Sequence, residues 1–171
     1  MSEEIVNKIA KSALIQLELD DFAFETEIQA YDIAENLEGG LILREKEFRS
    51  FITEFDWSVY KGMCVAISCS TGAIIPSWAF MLLASALESA GADCHYGSEA
   101  EVRERLLIEK ISALAPEKFA GKKLLIKGCG KFEPSPEVYL TITRALQPYV
   151  QSLMFGEACS TVPVYKKSIN I

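Results

Sequence analysis

Short apolar segments alternate with longer helical segments over residues 62–171, and this alternation constrains the fold more than any other feature. The four apolar segments are centred near positions 65, 94, 125 and 154, so they recur about every 30 residues. Strands that alternate with helices at this distance form right-handed crossovers and a parallel sheet. The sequence therefore predicts an α/β fold with a mostly parallel sheet, built from four strand–helix repeats with helices on both faces.

Local signals predict where these helices begin and end. Pro76 suits the first turn of a helix over 73–87, and Gly91 suits the left-handed position past its end. The segment Ser98–Glu101 has the S-x-x-E spacing of a capping box, which predicts the start of the next helix. Ser135 is the predicted N-cap of the last helix.

The N-terminal region has a different pattern. Apolar and polar residues alternate over 15–19 and 28–32, which predicts a pair of strands at a sheet edge or in a flap. The segment 44–55 predicts a charged amphipathic helix. Since no linker rich in Pro, Gly or Ser separates the regions, we predict one domain. Its strand pair and helix occupy 1–61, and the strand–helix repeats occupy 62–171.

Size, charge and composition restrict the class of protein. The 171 residues are 50% hydrophobic, which suits a single well-packed domain over 1–171. The formal net charge of -7 disfavours binding to nucleic acid or to an anionic membrane. The acidic start lacks the features of a signal peptide, and no apolar run is long enough to span a bilayer. We therefore expect a cytoplasmic protein whose cysteines are reduced.

Three cysteines and the single histidine occupy corresponding places in the predicted strand–helix repeats. Three of these residues directly follow the first, third and fourth strands of the repeats, and one lies near the end of the second: Cys69, Cys129, Cys159 and His95. Ligands of open parallel sheets bind at the carboxyl ends of the strands. We therefore expect these four side chains at one edge of the sheet.

Such a set of donors fits a tetrahedral zinc site or an anchor for an iron–sulfur cluster. Cys64 and Cys94 fall inside predicted strands and are interpreted as packing residues. A cysteine nucleophile, with His95 activating Cys69 or Cys129, is an alternative. The sequence lacks dinucleotide-binding, Walker and nucleophile-elbow motifs, so whether the protein is an enzyme is left open.

Four segments carry a resemblance to a known family: Gly40–Arg49, Ala73–Ala79, Ile126–Cys129 and Met154–Pro163. They resemble a bacterial family catalogued as domain of unknown function 2480, and the resemblance covers nearly the whole chain. Where that family usually carries Asp before the Ala-Ile-Ile-Pro run, this chain has Gly72. Members are often encoded beside iron–sulfur assembly and thiol-redox proteins. The resemblance therefore implies a protein partner in iron–sulfur or thiol metabolism.

Three functional hypotheses follow. The first is a metal- or thiol-dependent accessory protein, linked to iron–sulfur cluster assembly or sulfur handling. In it, Cys69, Cys129 and Cys159 bind zinc or iron, and His95 or water completes the shell. The second is a metal-free protein–protein interaction domain, which the lack of a complete catalytic motif favours. An enzyme with a cysteine nucleophile is a third hypothesis.

Overall fold

The computed structural model describes residues 14–22, 27–128, 133–157 and 159–168. The strands are β1 (Leu14–Glu18), β2 (Ile28–Asp32), β3 (Cys64–Ser68), β4 (Asp93–Tyr96), β5 (Lys123–Lys127), β6 (Ser152–Glu157) and β7 (Ser160–Lys166). The α-helices are α1 (Glu45–Glu54), α2 (Ser77–Ser89), α3 (Glu99–Ser112) and α4 (Pro136–Leu146). The predicted mixed α/β class with mostly parallel strands is confirmed. None of the helices in these described ranges has the length and apolar content needed to cross a membrane.

The chain forms two compact units, and one is inserted into the other along the sequence. The inner unit is Phe24–Arg103, and the outer unit combines Met1–Ala23 with Glu104–Ile171. The inner sheet has the strand order β2-β3-β4, with all neighbours parallel. The outer sheet has the order β1-β5-β6-β7, and only β7 is antiparallel to its neighbour among these described strands. The single domain over 1–171 stays a prediction.

The two N-terminal strands form where the alternation predicted them, but each pairs with a later strand rather than with the other. β1 pairs with β5, and β2 pairs with β3, both in parallel. The alternation of apolar residues reports that a segment is half-buried and extended. It carries no information about the partner, which is why the predicted strand pair is divided between two sheets.

The two units repeat one arrangement at an offset of 59 positions. In the inner unit Cys64 lies opposite Asp93, and in the outer unit Lys123 lies opposite Ser152, each 59 positions later. The preceding strands obey the same register, because β2 starts opposite Cys64 and β1 starts opposite Lys123. The predicted period of about 30 residues is therefore half of a longer structural repeat.

The helix termini bear out most of the predicted signals. Ser98 and Glu101 form a reciprocal capping box: the Glu101 carboxylate accepts from the Ser98 backbone N–H at 2.7 Å, and the Ser98 hydroxyl accepts from the Glu101 backbone N–H at 3.3 Å. Ser135 caps α4 by accepting from the Glu137 backbone N–H at 3.2 Å. Gly91 follows α2 with φ +78°. Pro76, which we predicted in the first turn of this helix, is the N-cap residue just before α2.

Each unit has its own apolar core, and the repeat extends to the buried helix faces. α2 contributes Ala79, Leu83 and Leu87 to the inner core. α4 contributes the residues 59 positions later to the outer core: Val138, Ile142 and Leu146. These six side chains are all at most 1% exposed. The spacings i, i+4 and i+8 place each set on one stripe of its helix, which packs against the strands of its own unit.

Candidate functional site

The carboxyl end of the inner sheet is organised by Asp32, the last residue of β2. Its Oδ1 accepts a hydrogen bond from the Ser70 backbone N–H at 3.0 Å and one from the Ala34 backbone N–H at 2.9 Å. A hydrogen bond with the Ser70 side chain is the main cause that lowers the pKa of the Asp32 carboxyl below its ordinary value, and the two backbone hydrogen bonds from Ala34 and Ser70 add to the shift. A carboxylate held in this way fixes the turn after β2 to the loop after β3.

Cys69 lies in that loop, directly after β3, as the sequence predicted. Its Sγ is 3.4 Å from the Thr71 hydroxyl oxygen, and its half-buried side chain packs against the inner core. The Thr71 hydroxyl also accepts from the Ala73 backbone N–H at 3.4 Å. Cys69 is thus a partly accessible thiol within a loop held by side-chain hydrogen bonds, at the sheet end where ligands of parallel sheets bind.

His95 belongs to a different cluster from the predicted one. Its Nε2 lies 3.1 Å from the Asp93 Oδ2, and the ligand atoms of His95, Asp93 and Cys64 all lie within 4.8 Å of one another. In the part of the chain that the structure describes, these three side chains form the group whose ligand atoms are close enough together to hold a metal ion. It does not contain Cys69, so Cys69 and His95 do not share a ligand cluster there.

Strand geometry explains how the cluster forms. Cys64 lies opposite Asp93 in the β3–β4 register, and His95 follows Asp93 by two positions. Residues two apart in a strand point to the same face, so the three side chains share one face of the sheet. The Asp-x-His spacing was visible in the sequence, but only the parallel register brings Cys64 to it. For that reason the sequence, which indicated a packing role for Cys64, did not identify Asp93 and His95 as its neighbours.

Burial raises the thiol pKa of the two cysteines in the strands of this sheet. Cys64 is 1% exposed, and desolvation raises the pKa of its thiol, with a further contribution from the Asp93 charge. Desolvation also raises the pKa of the half-buried Cys94 thiol, with Asp93 and Glu88 adding to the shift. Both thiols are therefore protonated at neutral pH, and neither is an activated nucleophile.

The other two predicted ligands are not placed with Cys69 by the described geometry. Cys129 lies outside the described residues. Cys159 is exposed and lies in the connection between β6 and β7, in the outer unit, whereas Cys69 and His95 belong to the inner unit. A common site for Cys69, Cys129, Cys159 and His95 therefore stays a prediction.

The outer unit has a charged group at the corresponding end of its sheet. Lys127 ends β5, and its Nζ lies 2.9 Å from a carboxylate oxygen of Glu18 and 3.7 Å from one of Glu157. The hydrogen bond to Glu18 raises the pKa of Lys127 above its ordinary value. The ammonium group is therefore held between carboxylates, which reduces its ability to stabilise a nearby thiolate.

Taken together, these features define the class of protein: a mixed α/β chain of two repeated, mostly parallel units, with free thiols near the sheet of the inner unit. Residues 3–167 match the family model described as Protein of unknown function (DUF2480). The chain therefore belongs to this family. Neither the curated proteins nor the solved structures gave a match.

Proposed function

We propose that the protein is a metal-binding accessory protein, and that its inner unit binds zinc through Cys64, Asp93 and His95. The observation that carries this proposal is the convergence of their three ligand atoms within 4.8 Å. Thiolate, imidazole and carboxylate are the donors that zinc takes in proteins. Water completes a tetrahedral shell, and iron(II) is the second metal that this mixed donor set suits.

The spacing of the donors supports a site that tightens around the ion. Zinc bonds of the usual lengths place neighbouring donors about 3.4–3.8 Å apart in a tetrahedral shell. The His95 and Asp93 donors are already 3.1 Å apart, and no pair in the cluster exceeds 4.8 Å. Closing the remaining gap requires side-chain shifts of about 1 Å, which rotations within the cluster supply.

Protonation couples metal binding to pH. The buried Cys64 thiol has a raised pKa, so it keeps its proton until a metal displaces it. Zinc binding therefore releases a proton from Cys64, and the zinc affinity rises as the pH rises. This dependence distinguishes a thiolate ligand from an ion held only by the exposed carboxylate.

The setting of this function is part of the proposal. A reducing compartment such as the cytoplasm keeps the described cysteines as free thiols, the state in which they occur in this structure. The family resemblance favours a protein partner in iron–sulfur or thiol metabolism, for which the chain would bind or deliver a metal.

Elemental analysis of variants tests the proposal. Anaerobically purified protein loaded with zinc and then desalted should retain about one zinc per chain, and Cys64→Ser should lose most of it. Cys94→Ser is the matched control, because Cys94 lies in the same sheet and also has a raised thiol pKa, but it is half-buried and lies outside the cluster. Zinc should raise the Tm of the wild type and of this control only.

Two results would contradict the zinc site. One is wild-type protein that retains no zinc or iron; the other is equal retention by Cys64→Ser and Cys94→Ser. If Cys64→Ser does not fold, Asp93→Asn and His95→Gln replace it. Loss of metal in Cys69→Ser, with normal content in Cys64→Ser, would instead support the predicted site at Cys69.

A further inference from the structure

The two units differ at one sheet edge. In the outer unit, β7 pairs antiparallel with β6 and covers its outer edge. β4 is the strand of the inner unit that corresponds to β6, with the same register on its neighbour. Among the residues that the structure describes, no strand pairs with the outer edge of β4. The inner unit thus has an edge strand where the outer unit has a hairpin.

An apolar groove runs beside both edges, and corresponding residues line it. The inner groove has a volume of about 480 Å³ and is lined by Ile67, Phe80, Ala84, Cys94, His95 and Tyr96. The outer groove has a volume of about 510 Å³, and the residues 59 positions after each of these six line it. The outer groove is further lined by Val162 and Val164 of β7 and by three residues of α4: Leu140, Ile142 and Arg144.

An aromatic pair is repeated in the two grooves. Phe80 and Tyr96 meet edge to face, with ring centroids 5.6 Å apart and planes at 86°. Tyr139 and Phe155 meet in the same way, at 5.4 Å and 84°. Val162 of β7 lies opposite Phe155, which is 38% exposed, whereas Tyr96 is 64% exposed. The inner groove therefore resembles the surface of β6 on which β7 packs, but its Tyr96 ring is more exposed to solvent than the Phe155 ring.

We propose that the outer edge of β4 binds an extended segment of a partner protein, antiparallel to β4, as β7 binds β6. Addition of a strand to an open sheet edge is a recurring mode of peptide recognition, in which backbone hydrogen bonds supply affinity and side-chain pockets supply specificity. The register of β7 predicts a β-branched residue opposite Tyr96, because Val162 lies opposite Phe155.

The charge of β4 specifies which residue ends the bound segment. Lys166 of β7 lies opposite Ser152, and the inner residue that corresponds to Ser152 is Asp93. A lysine at this position of the partner would therefore lie opposite an exposed carboxylate, which stabilises a cross-strand pair. Glu88 adds negative charge near the same strand, since it raises the pKa of Cys94. The segment bound by β4 thus has alternating β-branched residues followed by lysine.

The same charges disfavour a second copy of the chain as the occupant. A second copy would offer β4 itself (Asp93–Tyr96), which carries no lysine to pair with Asp93. In the absence of a partner, Asp93 also accepts from the backbone N–H of Cys94 at 2.8 Å. A carboxylate that caps an edge N–H in this way limits unspecific edge-to-edge pairing.

The β7 sequence itself provides the probe. A synthetic peptide of Ser160–Lys167 is titrated into ¹⁵N-labelled full-length protein, with chelator present so that the result is independent of the proposed zinc site. We expect saturable shifts in β4 and around Phe80. Tyr96→Ala should weaken binding about five- to tenfold. Met81→Ala is the matched control, because Met81 is an apolar α2 residue that is 72% exposed and does not line the groove.

Changes in the peptide decide the question without altering the protein. N-methylation at Val162 should abolish binding by removing the donor that lies opposite Tyr96. Lys166→Gln in the peptide should weaken binding about threefold at low salt, and the difference should shrink at high salt. These two peptides serve the same purpose if Tyr96→Ala does not fold.

Three outcomes would overturn the proposal: no shifts in β4 at millimolar peptide, shifts confined to β6 and β7, or equal binding by the N-methylated peptide. Light scattering tests whether a second copy of the chain occupies this edge. A wild-type dimer that Tyr96→Ala converts to a monomer would show that a second copy, and not a foreign segment, covers this edge.

Discussion

At the scale of single residues, Gly128 shows how closely the outer groove is packed. It directly follows β5, and a Cβ at this position would lie 2.7 Å from two ring carbons of Phe155 and 3.0 Å from the Tyr139 hydroxyl. In the structure, the aromatic pair of the outer unit fills the space beside Gly128.

We predict that Gly128→Ala destabilises the protein by about 1–3 kcal/mol, because the methyl group must displace the Phe155 ring. Urea unfolding of the full chain measures the change. Gly72→Ala is the matched control, since a Cβ there meets nothing within 4 Å and the glycine also follows a strand of the repeat. Its effect should stay within about 0.5 kcal/mol. Equal effects of the two substitutions would contradict this explanation.

At the scale of elements, Ser135 links the start of α4 to Glu104 of α3. Its hydroxyl caps α4 and also bonds a carboxylate oxygen of Glu104 in α3, while its backbone N–H lies 3.4 Å from the other oxygen. The sequence predicted the cap, because that signal is local. It did not predict the contact with Glu104, which is 31 positions away.

We predict that Ser135→Ala costs about 2 kcal/mol, because it removes both the cap and a hydrogen bond to a charged group. Ser98→Ala, which breaks the capping box of α3, should cost about 1 kcal/mol. A double-mutant cycle of Ser135→Ala with Glu104→Ala isolates the interhelical part. Additive effects of the two substitutions would mean that the Glu104 contact contributes nothing to stability.

At the scale of the whole molecule, the question is whether the two units unfold separately. Leu83 and Ile142 occupy corresponding places in the two cores and are 0% and 1% exposed. Truncating either residue to alanine leaves a cavity, with an expected cost of about 2–5 kcal/mol. The damage should remain in the unit that carries the substitution if the units are independently cooperative.

Hydrogen exchange followed by mass spectrometry tests this expectation. Leu83→Ala should accelerate exchange in β2, β3 and β4, and Ile142→Ala should accelerate it in β5 and β6. Met81→Ala should change neither set. Acceleration throughout the chain by both core variants would instead support the single cooperative domain predicted from the sequence.

The sequence by itself determined the elements that depend on neighbouring residues. The apolar period predicted α2 and β3, and the Ser98–Glu101 spacing predicted the start of α3. These signals arise from contacts between residues a few positions apart, so a linear reading detects them. β7 was not predicted, because Pro163 lacks an N–H and argues against a strand. The structure accommodates Pro163 in the outermost strand of the described outer sheet.

Only the tertiary structure decided which strands are neighbours. Leu14 pairs with Lys123, more than 100 positions away, and Cys64 reaches Asp93 through the β3–β4 register. The 59-position repeat became visible through these registers, since its corresponding positions often carry different residues, such as His95 and Met154. Which strands pair depends on how entire sheet faces pack in the fold. Burial determines whether a position is apolar or polar more strongly than it determines which amino acid occupies that position. For that reason the chain specified its strands locally, while the cluster at His95 and the open edge of β4 emerged only from the fold.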